Sequence, residues 1–281
     1  MQIYTTAAAF LHRAQSFFEA NETVHGSILG MTLRMRDKPE PAAEKPYLAT
    51  FETNHGDLIL AAAMKPGQNL VLAGAAHIPQ SILDLLCADL ATGGRAVAGV
   101  LAVDDLAQPF AETWQRASGQ AYRLDMHMRA YEARQVIPHA NPPGGSLRLA
   151  ALTDLDLLVP WRAAFGMESL HEQPPENLRD LVAKQVEAGQ VSLWEDGGPV
   201  STAGCTRPTP RGIWIQAVYT PPECRGRGYA SACVAELSRR MLDSGKTYVA
   251  LYTDLDYPTS NRIYQKIGYR PVRDFMVFHF H

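Results

Sequence analysis

Cysteine is scarce: the chain has 281 residues and four cysteines, Cys87, Cys205, Cys224 and Cys233, with no Cys-x-x-Cys pair. That spacing excludes a disulfide framework or a zinc knuckle and suits a reducing compartment. Neither sign of charge is in excess. The formal net charge is -3 and the isoelectric point about 6.3, so a general nucleic-acid footprint is excluded. Long hydrophobic runs are missing too. The longest, about Leu58 to Met64, falls far short of the roughly 20 residues that span a bilayer. The opening residues, Met1-Gln2-Ile3-Tyr4-Thr5-Thr6, carry no basic segment followed by an apolar one, so no export signal is expected. There is no Gly-x-Gly-x-x-Gly, and Gly245-Lys246-Thr247 has Arg240 where the P-loop pattern Gly-x-x-x-x-Gly-Lys-Ser/Thr needs its first glycine, which counts against Rossmann and P-loop nucleotide binding. A cytoplasmic protein with no membrane, nucleic-acid or metal partner is expected. Apolar residues, by contrast, make up 46%, enough for a packed core, and the length allows one large domain or two ordinary ones.

Helical spacing predicts a helix over Ala7 to Ala20, while Val24 to Gly30 is ambiguous between helix and strand. Strands are predicted at Tyr47 to Asn54 and Asp57 to Met64, joined by the Asn54-His55-Gly56 turn. The order that follows is strand Leu70 to Ala75, helix Ile78 to Ala91, strand Val97 to Val103, helix Ala107 to Ser118, Gly119, and strand Ala121 to Ala133. The Pro/Gly-rich stretch from Pro138 to Gly145 then punctuates the chain as a linker. Beyond it come a short strand at Leu147 to Ala150, helices to Phe165 and from Pro175 to Ala188, and a hairpin of Val191 to Glu195 with Val200 to Arg207. The last stretch repeats the earlier order: strand Ile213 to Thr220, helix Ala230 to Leu242, strand Tyr248 to Thr253, helix Ser260 to Ile267, Gly268 and Tyr269, with a final strand at Phe275 to Phe280. Two similar α/β domains are expected, residues 1–137 and 146–281, joined by 138–145.

One stretch organises the second half. A β-branched and aromatic strand leads into Val218-Tyr219-Thr220, then Pro221-Pro222-Glu223-Cys224, then Arg225-Gly226-Arg227-Gly228-Tyr229-Ala230-Ser231 at the start of a helix. Glycines between strand and helix let backbone N–H groups converge where the positive end of the helix dipole points. That makes a socket for an anion with several oxygens, a phosphate or pyrophosphate. The corresponding place in the first half, Ala75-Ala76-His77-Ile78-Pro79, has no glycine pair and no arginine.

Arg225 to Ala230 fits Gln/Arg-x-x-Gly-x-Gly/Ala, and with its flanking strand and helix it resembles the acyl-CoA-binding motif of the GNAT superfamily of N-acetyltransferases. Downstream, Asn261, Tyr264, Gly268 and Tyr269 resemble that superfamily's Asn…Tyr…Gly-Phe/Tyr segment. The likeness covers about Gly145 to His281; over the first half it is one of architecture. It implies tandem GNAT-like domains, each a mostly antiparallel mixed sheet flanked by helices, with a splayed strand pair in the second domain binding acyl-CoA. The first domain is then a degenerate copy without the pyrophosphate loop. The resemblance further implies that backbone amides from Arg225 to Ser231 hold the CoA pyrophosphate, that Val218, Tyr219 and Thr220 line the pantetheine arm, and that Asn261 bonds the same ligand. Tyr264 protonates the departing thiolate.

The implied reaction moves an acetyl group from acetyl-CoA to a primary amine of a small molecule or peptide, in a ternary complex, by a monomer or homodimer. Its chemistry asks for an oxyanion donor such as the Val218 N–H and a proton for the leaving thiolate. A base for the amine is less evident; Glu168, Asp254 and Asp256 are the candidates. Other readings stand beside these. Tyr264 also reads as a core aromatic, Asn261 as a helix cap, and Trp161, Trp194 and Trp214 as core or as acceptor-pocket walls. Glu168, Glu172 and Glu176 make a locally acidic region that favours a cationic amine. A non-catalytic acyl-CoA-binding regulator is the rival from another class.

Overall fold

The computed structural model describes residues 1–38, 45–138, 141–170, 172–256 and 263–281. In chain order these form β1 (Gln2–Ile3), α1 (Ala7–Ala20), α2 (Glu22–Asp37), β2 (Tyr47–Glu52), β3 (Leu58–Met64), β4 (Leu70–Gly74), α3 (Gln80–Thr92), β5 (Gly99–Val103), α4 (Asp104–Ser118) and β6 (Tyr122–Ala133). They continue with β7 (Ser146–Leu149), α5 (Leu155–Phe165), α6 (Leu178–Glu187), β8 (Val191–Glu195), β9 (Pro199–Thr206), β10 (Gly212–Tyr219), α7 (Tyr229–Asp243), β11 (Tyr248–Asp254), a helical turn over 263–266 and β12 (Arg270–Phe280). The ambiguous Val24 to Gly30 is helical, inside α2. Its buried Ile28 and Leu29 and its small Gly26 and Gly30 sit against the sheet, and packing decides what local propensity leaves open.

Two compact units emerge. One comprises Met1–Ala130, Tyr252–Pro258 and Pro271–His281; the other comprises Tyr131–Leu251 and Thr259–Arg270. The sequence-based division differs from this at both ends. The expected linker is not where the units part, because its described residues are fastened within the second unit. The Trp194 indole donates to the Gly144 carbonyl at 2.9 Å. Gly145, at φ +102, stands where a Cβ would lie 2.0 Å from the Glu195 carbonyl oxygen, so only glycine fits. Residues 139 and 140 lie outside the described part of the chain. The final strand, expected in the second domain, belongs to the first unit. It pairs antiparallel with β5 from Phe275↔Val103 to His279↔Gly99, and Phe278 and Phe280 enter that unit's core.

The first unit has three layers. Its strands run in the order β1-β2-β3-β4-β5-β12-β6. Tyr47, Phe51, Leu60, Leu70 and Leu72 face α3 and α4, whose Leu86, Leu90, Phe110 and Trp114 complete one core. The alternate residues Leu48, Ala61, Ala63 and Ala73 face α1 and α2 through Phe10, Phe18, Ile28 and Leu29. Both faces of β3 are covered, which is why its sequence is an unbroken apolar run.

The second unit is also layered, with strands in the order β11-β10-β9-β8-β7. One face packs on α7 through Trp194, Cys205, Ile215, Cys233, Val234 and Leu237. The other packs on α5 and α6 through Leu158, Val182, Val186 and Leu193. Leu193 and Trp194, neighbours on β8, therefore serve opposite cores, as the two-residue period of a strand requires.

Candidate functional site

The site is built where β10 leaves its neighbours. The parallel register with β11 covers Gly212↔Tyr248, Ile213↔Val249 and Trp214↔Ala250 and stops, although β10 continues to Tyr219. On the other edge the antiparallel ladder slips between Gln216↔Gly204 and Tyr219↔Thr202, so Ala217 and Val218 stand opposite one residue of β9. This is a β-bulge, which frees backbone groups from the ladder and re-aims the strand. Ala217 adopts φ +49 to make it, a left-handed conformation costing about 1–2 kcal/mol for an L-residue. Buried Ser201 on β9 fixes the exit: its hydroxyl donates to the Tyr219 carbonyl at 3.1 Å and lies 2.9 Å from the Thr220 hydroxyl. Nothing in the sequence marks Ser201 for this task, nor Ala217 for its backbone angle.

After Thr220 the chain makes one 3-10 turn, Pro222–Cys224, and reaches the two glycines. Gly226 and Gly228 have φ +77 and +83, angles that favour glycine. Gly228 is the N-cap of α7; it offers no side-chain cap, and the first turn of the helix holds no acidic residue. The N–H groups of the first turn are thus left without intrahelical acceptors, at the positive end of the helix dipole. Arg227 is exposed beside them. This arrangement suits a pyrophosphate. The Tyr229 ring, in contrast, belongs to the core. Its hydroxyl donates to Asp196 at 2.6 Å, and that carboxylate raises the hydroxyl's pKa. What Tyr229 offers an anion is its backbone N–H.

Tyr264, on the turn over 263–266, is half-buried against the same core, 6.0 Å ring to ring from Tyr269. Burial, with Cys233 of α7 close by, pushes its hydroxyl up to about 12. Such a group stays protonated at neutral pH and is a proton donor, not a base. Its packing makes it a core aromatic as well, so the two sequence readings are compatible. Asn261 lies outside the described residues.

Two of the three base candidates, Glu168 and Asp254, are engaged elsewhere. Glu168, in the π-helical turn Gly166–Leu170 after α5, accepts from Arg225 Nη2 at 2.7 Å and from the Tyr219 hydroxyl at 3.4 Å. The Arg225 guanidinium also lies over the Tyr219 ring at 5.7 Å, and its Nε donates to the Thr220 carbonyl at 2.9 Å. Asp254 accepts from the Asp256 N–H at 2.9 Å in a turn of the first unit. The acidity noted over Glu168 to Glu176 is accordingly part-neutralised by Arg225.

On the α5–α6 face of the sheet, the bulge floors a cavity of about 420 Å³. Gln216, Ala217 and Tyr219 line it from β10, with Leu158, Trp161 and Arg162 from α5. Trp161 meets the Tyr219 ring at 6.1 Å and is a pocket wall, whereas Trp214 is fully buried and Trp194 is core. Arg162, which pattern reading passed over, was legible in one respect: it is the only cation in the apolar segment Leu155–Phe165.

The first unit treats the matching place differently. Its β4–β5 parallel register also stops early, at Leu70↔Val100 and Val71↔Leu101. There, however, Ile78 Cδ1 and Leu106 Cδ2 stand 3.0 and 3.1 Å from where a Cβ of Gly74 would be. Aliphatic side chains fill the opening, and α3 begins behind Pro79, a residue without an N–H.

Residues 155–269 match the model of the acetyltransferase (GNAT) family. The match covers less than half of the chain, and it is this stretch that resembles a GNAT acetyltransferase domain. Solved structures extend the likeness of fold across both units. A GCN5-related N-acetyltransferase from Sphaerobacter thermophilus is 18% identical, with a TM-score of 0.61 over 88% of this chain and 84% of that one. A GNAT-family acetyltransferase from Colwellia psychrerythraea is 13% identical, TM-score 0.56, over 100% and 99%. A tandem GNAT protein from the clavulanic acid biosynthesis pathway is 14% identical, TM-score 0.50, over 90% and 87%. No curated protein matches the chain. Mixed α/β sheets flanked by helices are the fold this chain shares with these solved structures. Among the described residues, no helix is long and apolar enough to cross a membrane, and no cluster of three His, Cys, Asp or Glu is placed to hold a metal. The His279 imidazole sits 3.3 Å from Asp125.

Proposed function

We propose that the protein transfers an acetyl group from acetyl-CoA to a primary amine, in a ternary complex formed in the second unit. The observation that carries this reading is the conjunction of a bulge at Ala217–Val218 with an uncapped, two-glycine helix start ten residues on. Acetyl-CoA supplies the activated thioester. Amides of Gly226 to Ser231, with Arg225 and Arg227, hold its pyrophosphate. Val218 and Thr220 extend their backbone along its amide-bearing arm, as one strand pairs with another. The Val218 N–H donates to the acetyl carbonyl oxygen, where charge grows during attack. Tyr264 keeps the proton that the leaving sulfur needs. The amine enters from the cavity floored by Ala217 and loses its proton to water. Four unpaired thiols suit a reducing cytoplasm.

The first unit, in this reading, keeps the fold and binds no CoA, because Ile78 and Leu106 occupy the opening. Calorimetry with CoA tests the binding step: one site per chain is expected, and absence of binding by folded protein refutes the reading. A thiol-release assay across an amine panel tests the chemistry. Engagement of Glu168 by Arg225 favours the non-catalytic alternative in one respect, since it ties up a base candidate that contacts Tyr219. CoA binding without turnover on any amine decides for that alternative.

A further inference from the structure

Arg162 stands in the wall between the 420 Å³ cavity and a neighbouring one of about 580 Å³ that lies between α5 and α6. It is half-buried, and among the described residues its guanidinium makes no hydrogen bond and no ion pair. Its guanidinium lies over the Phe165 ring at 5.3 Å. The other arginines of this region are answered: Arg225 by Glu168, Arg179 by Asp156, and Arg148 by Asp154 and Glu195. Among the described residues, Glu172 is the only acidic side chain that lines either cavity, and it makes no ion pair with Arg162. Burial lowers the pKa of Arg162 and Glu172 partly offsets this, which is the signature of a cation short of a counter-charge. A guanidinium held among Leu158, Trp161 and Phe165 without an anion is unfavourable for the empty protein.

Resting on the acetyl-transfer reading above, we infer that the acceptor is an amino-acid-like amine, and that Arg162 binds its carboxylate. A single planar fork matches one carboxylate bidentately; among the described lining residues there is no second cation, which argues against a phosphate. Gln185 and Gln216 add amides for the remaining lone pairs, and Trp161 and Phe165 take an apolar or aromatic side chain. A polyamine or a lysine side chain would set like charges together. In the reaction the amine nitrogen forms the C–N bond and the C–S bond breaks. The thiolate takes the Tyr264 proton, the amine proton passes to water, and the carboxylate stays on Arg162 throughout.

The test uses 3-phenylpropanoate, a carboxylate that cannot be acetylated, and its neutral partner 3-phenylpropanamide, titrated into the full chain with and without CoA. Quenching of tryptophan fluorescence by the ligand, confirmed by calorimetry, is the readout. The carboxylate should bind roughly ten- to a hundred-fold more tightly than the amide, and Arg162→Gln should erase that preference while leaving CoA affinity unchanged. Arg162→Lys should keep only part of it. Equal binding of acid and amide, no binding of either, or a preference that survives Arg162→Gln overturns the inference. These outcomes do not depend on turnover. Should acid binding through Arg162 hold while no amine is acetylated, it is the acetyl-transfer reading that fails. If phenylalanine and phenethylamine are acetylated equally well, the carboxylate assignment fails while acetyl transfer stands.

Discussion

Replacing Gly228 with alanine separates the conformation of the loop from the stability of the fold. A Cβ there would find room, its nearest neighbour being Pro143 Cδ at 3.9 Å. Sterics outside the residue are therefore not the issue; the cost lies in φ +83, about 1–2 kcal/mol for a residue with a Cβ. Against a domain stability of roughly 5–15 kcal/mol the fold survives, and the melting temperature falls by only a few degrees. The loop can shed that strain by rotating away from the left-handed region, which turns the amides of the α7 N-terminus off their common focus. Each charged hydrogen bond lost to the pyrophosphate weakens binding by about 1.5–3 kcal/mol, so CoA affinity should drop roughly ten- to a hundred-fold. Gly245→Ala is the matched control. Gly245 sits at φ +100 with open space around it, past the other end of α7. It should melt like Gly228→Ala and bind CoA like the unaltered protein. Calorimetry and thermal unfolding on the three proteins decide the matter: if Gly228→Ala retains full CoA affinity, or if Gly245→Ala loses it equally, the loop is not the pyrophosphate site.

Further outcomes follow from the same geometry. Tyr264→Phe should lower the turnover rate by about 10²- to 10⁴-fold with CoA affinity intact. In the unaltered enzyme, turnover should show no loss from tyrosine ionisation until the pH nears 12; a break near pH 10 contradicts this. The buried thiols Cys205 and Cys233 are likewise pushed up to about 12. Raised folded-state values mean their stabilising share is complete below the unfolded values, about 8.5 for a thiol and 10 for a tyrosine. Stability should hold at lower pH and fall between about pH 9 and 12, which melting curves across that range check. Glu168→Gln releases an exposed ion pair, so melting should change little, by under about 1 kcal/mol. Turnover should stay within a few-fold, whereas a hundred-fold loss would make Glu168 the base after all. Ile78→Ala should cost the first unit about 1–3 kcal/mol and leave CoA binding as it was.

What the sequence disclosed and withheld divides along physical lines. The anion loop was legible because positive φ leaves a trace in residue choice, at Gly226 and Gly228. The bulge was not, because Ala217 takes its φ of +49 under duress from the tertiary structure, held there by contacts such as Ser201's grip on Tyr219 and Thr220. Helix and strand order followed from periodicity almost throughout, but periodicity names a buried face without naming its partner. Phe275 to Phe280 was visibly a strand, yet nothing in its alternation says that β5 lies beside it. The Pro/Gly stretch misled for a related reason. Glycine marks close approach as readily as flexibility, and Gly145 is there because the Glu195 carbonyl leaves no space for a side chain. Arg162 stood out only once its missing partners could be counted.

The place of β12 has a consequence for how the protein is made. The first unit's sheet seats that strand between β5 and β6, so the piece that fills an interior position leaves the ribosome after every other described strand. Until Phe278 and Phe280 emerge, β5 and β6 each present a bare edge and the core around Phe110 and Trp114 lacks two of its rings. Domains usually fold as they are synthesised, N-terminal first. Here the order is reversed in part: the second unit's strands β7 to β11 are complete while the first is still waiting. A nascent chain stalled before β12 should therefore protect the second unit from protease and leave the first open to it, and exposed edges of this kind are what chaperones bind.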